Sequence, residues 1–255
     1  MRYRSFFIFS SLLMLAATCK NEAEDNDGRE NLLIESGFEG NNPFKGWGNS
    51  QHCCDYSLTQ SHDKSSEGNN SLRIEVRSTD PQTSRSIRSE LTQDGDGVGA
   101  ERWYGFNIFL ENWTDDEAGE CVFQWHPENL TGTATAALWT SGGRYVFVMN
   151  AGDVNSYNEY IDIGPIISNQ WVSWVIHVKW ASDKTGIMQV WKNRNLVVDK
   201  SGVATAPPVG TYFKLGINKF GWGIQPSTTT QRILYYDDVR IGNEKASYED
   251  VIPGP

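Results

Sequence analysis

The sequence predicts an all-β fold, a β-jelly roll of the concanavalin-like antiparallel sandwich type, in one domain. Three observations carry this. No stretch of useful length repeats apolar residues at helical spacing. Short runs rich in Val, Ile, Phe, Tyr and Trp recur along the chain, separated by Gly, Asn, Asp and Ser. The clearest of them, VSWVIHVKW, alternates with period two: Val172, Trp174, Ile176 and Val178 face one side, Ser173, Val175, His177 and Lys179 the other.

In order, the first element is not part of the fold. MRYRSFFIFSSLLMLAATCK is a short basic segment followed by an apolar run, Phe6 to Ala17, too short to span a bilayer comfortably. It reads as an export signal over residues 1–18. Cys19 after LAAT is similar to a bacterial lipoprotein cleavage site, which would make it the lipidated first residue. Residues 19–31 then form an acidic tether, and 32–255 the domain. The expected location is the outer membrane or cell surface, or otherwise the periplasm or medium, with the membrane touched only through Cys19.

The domain begins with ESGFEGNNPFKGWG and the loop QHCCDYS. The strand candidates follow: SLRIEVRS, SRSIRSEL, RWYGFNIFL, CVFQWH, ATAALWT, RYVFVMN, WVSWVIHVKW, GIMQVWKN, LVVDK, YFKLGIN and RILYYDDVRIG. TGIMQVWKNRNLVVDK reads as a hairpin turning at Lys192–Asn195. No repeat, low-complexity linker or second domain is apparent, and a monomer is expected.

The formal net charge is −10. That argues against nucleic acid as a partner, because such binders need basic surface to displace counterions. With Cys19 set aside, Cys53, Cys54 and Cys121 remain. A disulfide suits an exported protein, and a bond from Cys121 to one of the adjacent pair is expected. No His/Cys spacing suggests zinc.

Three runs carry candidate chemistry. In SRSIRSEL, Arg88 and Glu90 share a strand face, and the carboxylate can hold the guanidinium in a defined orientation. In CVFQWH, Gln124 and His126 share a face with Val122, while Phe123 and Trp125 point the other way. In TYFKLGINKFGWG, Tyr212, Lys214, Gly216 and Asn218 line one face; the glycine leaves space where a ligand could approach. Each run taken alone is also what a solvated strand face looks like. His52 in QHCCDYS is a candidate at the groove edge, whereas His177 reads as structural.

Together, RSEL at 88–91, QWH at 124–126 and YFKLG at 212–216 resemble the three signature strands of the β-jelly-roll polysaccharide lyases, the clan of alginate, glucuronan and heparin I lyases. The opening ESGFEGNNPFKGWG and the closing YYDDVRIG are similar too, so the likeness spans about residues 32–243. It implies an endo-acting lyase that cleaves a uronic-acid polymer by β-elimination. QHCC and WYGFNIFL look most like the glucuronan and heparin I types, which puts a glucuronan-like polymer ahead of alginate or ulvan. Arg88, Gln124, His126 and Tyr212 are then the catalytic candidates.

The chemistry explains the set. Donors on the uronate carboxylate stabilise charge as the C5 proton leaves; a base takes that proton and an acid protonates the C4 oxygen. Lys214, Asn218, His52, Arg85 and Trp222 are substrate-binding candidates, and Arg85, Arg88, Lys214 and Lys219 would make a basic groove in an acidic protein. One departure matters: the alginate lyases carry a tyrosine two residues after the glycine, where this chain has Asn218. Tyr212 on the same face, or Tyr157 or Tyr160 from the loop DVNSYNEYID, could replace it, His126 or His52 could take over as base, or the protein could bind its glycan without cleaving it. That last rival, a non-catalytic carbohydrate-binding jelly-roll lipoprotein, would use an exposed Trp such as Trp222. Related jelly rolls hold a structural Ca²⁺, for which Glu39 with Asp237 or Asp238 are the oxygen donors expected; no cofactor is expected for catalysis.

Overall fold

The computed structural model describes residues 29–129 and 132–254. The export signal, Cys19 and the tether up to residue 28 therefore lie outside the described residues. Among the described residues, fifteen strands follow one another. They are β1 (Leu32–Ser36), β2 (Ser50–Gln51), β3 (Leu58–Ser61), β4 (Ser71–Arg77), β5 (Ile87–Thr92), β6 (Glu101–Glu111), β7 (Glu120–Pro127), β8 (Ala136–Ser141), β9 (Arg144–Met149), β10 (Glu159–Pro165), β11 (Trp171–Lys179), β12 (Gly186–Lys192), β13 (Asn195–Val203), β14 (Thr211–Lys219) and β15 (Gln231–Gly242). A single-turn helix, α1 (Tyr248–Val251), closes the fold.

The strands form two antiparallel sheets, the expected sandwich. The outer sheet runs β13-β12-β11-β6-β15-β4-β3, and the groove sheet β10-β9-β8-β7-β14-β5-β2. β1 joins the outer sheet on the same edge of β15 as β4: β4 pairs Gln231–Tyr236, and β1 pairs Val239–Gly242. The handover falls at Asp237–Asp238, where Asp238 has φ of 49° and the register shifts. A bulge there lets one long strand serve two partners.

The core lies between the sheets. Val172, Trp174, Ile176 and Val178 are all buried in it, as their alternation predicts. From the groove sheet come Phe123, Trp125, Leu138, Phe147, Phe213, Leu215 and Ile217. Rings interdigitate across the layers: Tyr104 lies 4.7 Å from Phe213 and Phe106 lies 5.1 Å from Phe123, centroid to centroid. The Lys192–Asn195 hairpin is present, with Asn193 and Arg194 both at positive φ as a type I′ turn requires.

Three expectations need correction. Cys53 is bonded to Cys54, and Cys121 is a free, buried thiol that donates to the Phe123 carbonyl at 3.0 Å. Val122 does not share the face of Gln124. The register of β7 slips between Cys121 and Phe123 against β8, and β14 slips against β7 between Leu215 and Asn218. The bulge turns Val122 into the core and Cys121 outward. The Tyr236 hydroxyl crosses the core to fill the opened ladder, donating to the Val122 carbonyl and accepting from the Gly216 N–H. Finally, Glu159–Pro165 is an edge strand, so Tyr160 stands on a strand rather than in a loop.

Candidate active site

β5, β14 and β7 lie side by side in the groove sheet. Their pairing sets Asn218 opposite Arg88, Gly216 opposite Glu90, Lys214 opposite Gln124 and Tyr212 opposite His126. The three runs read separately in the sequence thus form one surface, the floor of an open groove.

Glu90 is its centre. The carboxylate is 0% exposed. It accepts from Arg88 Nη1 at 3.1 Å and from the Gln124 amide, and pairs with Lys214 Nζ at 3.5 Å. A buried carboxylate is tolerated only when it is so satisfied. Gln51 on β2 adds a second acceptor, taking Lys214 Nζ at 3.0 Å and Arg88 Nη1 at 3.3 Å. Arg88 is also tied by Nε to Ser86 Oγ at 3.0 Å and by Nη2 to the Ser84 carbonyl at 3.2 Å. The same Ser86 hydroxyl donates to Asn218 Oδ1 at 2.7 Å. That bond holds the amide, and Asn218 lines the groove beside Arg88 and His126.

Gly216 has a different use from the one its sequence suggested. Its φ is +145°, and a Cβ there would lie 2.1 Å from the Ser89 carbonyl oxygen. The glycine admits the backbone of β5, and with it Glu90, against β14.

His126 is half-buried, and its Nδ1 lies 3.0 Å from the Pro127 carbonyl. A carbonyl only accepts, so Nδ1 carries the proton and the neutral ring keeps its lone pair on Nε2. Burial pushes the imidazole pKa down, with the Lys214 and Arg88 charges adding to it against the Pro127 bond and the Glu90 charge. The Tyr212 ring is 5.7 Å from His126, and Lys214 Nζ is 5.1 Å from the Tyr212 centroid.

Two adjoining compartments open over this floor. One, of about 560 Å³, is lined by Gln51, Arg85, Arg88, His126, Tyr212 and Lys214 among others. The second, of about 300 Å³, shares Arg88, His126 and Asn218 and adds Gln124, Cys121 and aromatic rings. Arg85 reaches the first from a tight turn, Ser84 and Arg85 both having positive φ between paired Thr83 and Ser86.

Several candidates fall elsewhere. His52 is exposed and lines neither compartment; its neighbour Gln51 does, a residue the sequence reading passed over. Lys219 is not a groove cation. Next to Asn218 on β14, it points to the opposite face and is fully buried between Asp116 (2.9 Å), Glu120 and the Ala118 carbonyl. Arg232 completes that cluster, 3.3 Å from Glu120. Trp222 is 9% exposed, donates to Ser227 Oγ at 2.9 Å and lies beneath Lys219, away from both compartments. His177 is structural as expected: Nε2 meets Glu101 at 2.8 Å and Nδ1 meets Gln189 at 3.0 Å, partners brought by neighbouring strands.

Of the carboxylates expected for calcium, Glu39 and Asp237 both come up to Gly37. Glu39 accepts from the N–H groups of Asn69 and Asn70. Asp237 is buried and accepts from the N–H groups of Ser66, Glu67 and Asp238. Asp238 pairs with Arg240 at 2.7 Å. Backbone donors and a guanidinium thus supply positive charge at these carboxylates.

Comparison with known proteins agrees with this architecture. A family model described as polysaccharide lyase matches residues 39–240. No curated protein matches the sequence. Among solved structures, an endo-β-1,4-glucuronan lyase from the fungus Trichoderma reesei superposes with a TM-score of 0.71 at 20% identity, over 81% of this chain and 94% of that one. The alginate lyase PA1167 from Pseudomonas aeruginosa gives 0.54 at 18% identity, over 75% and 87%. A mutant of the alginate lyase Aly36B in complex with alginate trisaccharide gives 0.56 at 13%, over 84% and 98%. At such identities the likeness speaks for the fold alone. The family match, running from the loop after β1 into β15, covers both sheets and every groove residue described above, and the chain belongs to the polysaccharide lyase family.

Proposed function

We propose that this lyase cleaves a glucuronan-like uronic-acid polymer within the chain, by β-elimination across C4–C5. The observation that carries the reading is the Glu90-centred floor. It holds Arg88, Gln124 and Asn218, three donors to a carboxylate, beside an imidazole with a free lone pair. A uronate carboxylate seated on these donors is partly neutralised, which stabilises the charge that builds as C5 is deprotonated.

His126 Nε2 takes the C5 proton; its depressed pKa keeps the ring neutral at neutral pH. Tyr212 is the acid that protonates the departing C4 oxygen, since it is the tyrosine lining the charged compartment. The electron pair of the C5–H bond becomes the C4–C5 double bond as C4–O breaks. His126 then returns its proton to water, and Tyr212 recovers one from it. Asn218 replaces the tyrosine of related sites as a carboxylate donor. Arg85 and Lys214 hold the neighbouring negative charges. Export through the N-terminal signal, with lipid on Cys19, would place the enzyme where such polymers are met.

The test is incubation of the mature domain with glucuronan, alginate, ulvan and heparin, following the ultraviolet absorbance of the unsaturated product. Glucuronan should give the fastest rise. No rise on any uronate polymer refutes the reading, and wild-type turnover by both Gln124→Ala and His126→Ala refutes the assignment of the floor.

A further inference from the structure

The groove sheet has an apolar half that the elimination does not use. Cys121, Ala134, Ala137 and Val148 form a small cluster on the outward face, separate from the sandwich core, with Trp139, Tyr157 and Phe220 packed on it. The Trp139 ring is 5.0 Å from Phe220, 5.1 Å from Tyr157 and 6.0 Å from Tyr160. These rings come from β8, the loop before β10, β10 itself and the residue after β14, so the sequence scatters what the fold gathers. Tyr160 is 61% exposed. Scattered exposed rings need no explanation, but several in contact beside a groove mark a binding surface.

The neighbouring compartment differs sharply in chemistry. Of the residues lining the aromatic one, Arg88 alone carries a permanent charge, and it stands at the border with the charged floor. The Tyr157 hydroxyl accepts from the Ala134 N–H at 3.2 Å, which fixes its ring against the wall, and burial pushes its pKa well up. A pyranose ring has an apolar C–H face and a hydroxyl rim. An aromatic wall fits the face and leaves the rim in water.

We propose that Trp139, Tyr157, Tyr160 and Phe220 form a sugar-stacking subsite for the ring adjoining the uronate held over Arg88, Gln124 and His126. The subsite reads the ring and not its charge, so an uncharged sugar is accepted there as well as a uronate. This deepens the lyase reading and rests on it for the position of the neighbouring uronate.

Two measurements test it, one independent of cleavage. In titration calorimetry, cellotetraose, the carboxyl-free analogue of a β-1,4-glucuronan, should bind the wild-type protein. Trp139→Ala should weaken it at least tenfold, Tyr160→Ala about threefold, and Trp139→Phe should restore most of the affinity. On the polymer that proves to be cleaved, Trp139→Ala should raise KM by a similar factor with kcat nearly unchanged. The exposed position of Tyr160 makes its variant safe for folding, so it decides should Trp139→Ala be unstable. Unchanged cellotetraose binding in both alanine variants, or no binding by wild type, overturns the subsite. Absence of cleavage with cellotetraose binding intact and lost in Trp139→Ala would sink the lyase reading and leave the subsite standing.

Discussion

Replacing Glu90 by Gln removes the one negative charge on which the groove floor converges while keeping the volume of the side chain. Arg88 and Lys214 lie 3.1 and 3.5 Å from its carboxylate, with side-chain exposures of 11% and 2%. At an effective dielectric of about 20, each pair is worth roughly 5 kcal/mol of gross attraction. Desolvation offsets much of that, and losing one partner of a buried pair leaves a net destabilisation of about 3–5 kcal/mol. The Gln51 carbonyl still accepts from both cations, which puts the expected loss near 3 kcal/mol. For a domain of this size that lowers Tm by about 6–12 °C. Freed from Glu90, Gln124 and Arg88 lose their aim, and a misplacement of about 1 Å at such a site lowers turnover on the order of 100-fold. Thermal melting by circular dichroism and steady-state kinetics on the cleaved polymer measure both effects. A Glu90→Gln protein that melts with the wild type and keeps its kcat would show that the carboxylate does not organise the floor.

Other outcomes follow from the same geometry. The acid limb of kcat/KM should lie below the free-imidazole value of about 6.5, because burial lowers the pKa of His126; a limb at or above that value would remove His126 as the base. The unfolded chain binds this proton more readily than the folded one, so stability should fall as pH drops from about 6.5 to the folded value. Gly216→Ala should lower stability by roughly 2–4 kcal/mol in denaturant unfolding, since its Cβ meets backbone of β5 at 2.1 Å and at positive φ. Lys219→Met should lower it by about 3–5 kcal/mol, as it leaves Asp116 and Glu120 to share Arg232, with little change in KM if Lys219 is, as placed, outside the groove.

The sandwich was legible because strand alternation is a local property: VSWVIHVKW states its core face outright. The groove floor was legible for the same reason, with Arg88, Gln124, His126, Tyr212 and Lys214 each on the face that parity assigns. What escaped depends on contacts between strands. Nothing local marks the bulge that turns Val122 inward and Cys121 outward. Gln51 gains its place by pairing beside Glu90 in a two-residue strand, too short to leave a pattern. Lys219 was misplaced against its own parity, which pointed it away from Asn218. An exposed Trp222 is expected of a binding module, yet Lys219 and Ser227 enclose the ring. The aromatic wall had no signature, since its rings lie far apart in the chain.

A cationic groove in a molecule of formal net charge −10 also shapes the encounter with the substrate. At long range a polyanion meets repulsion, and at short range the attraction of Arg85, Arg88 and Lys214. Salt screens both, but unequally. With a Debye length of about 10 Å at 0.1 M, moderate salt removes the distant repulsion while charges seated in the groove still meet. The association rate should therefore rise with ionic strength before it falls, giving this enzyme a salt optimum where a uniformly basic binder of polyanions shows only decline.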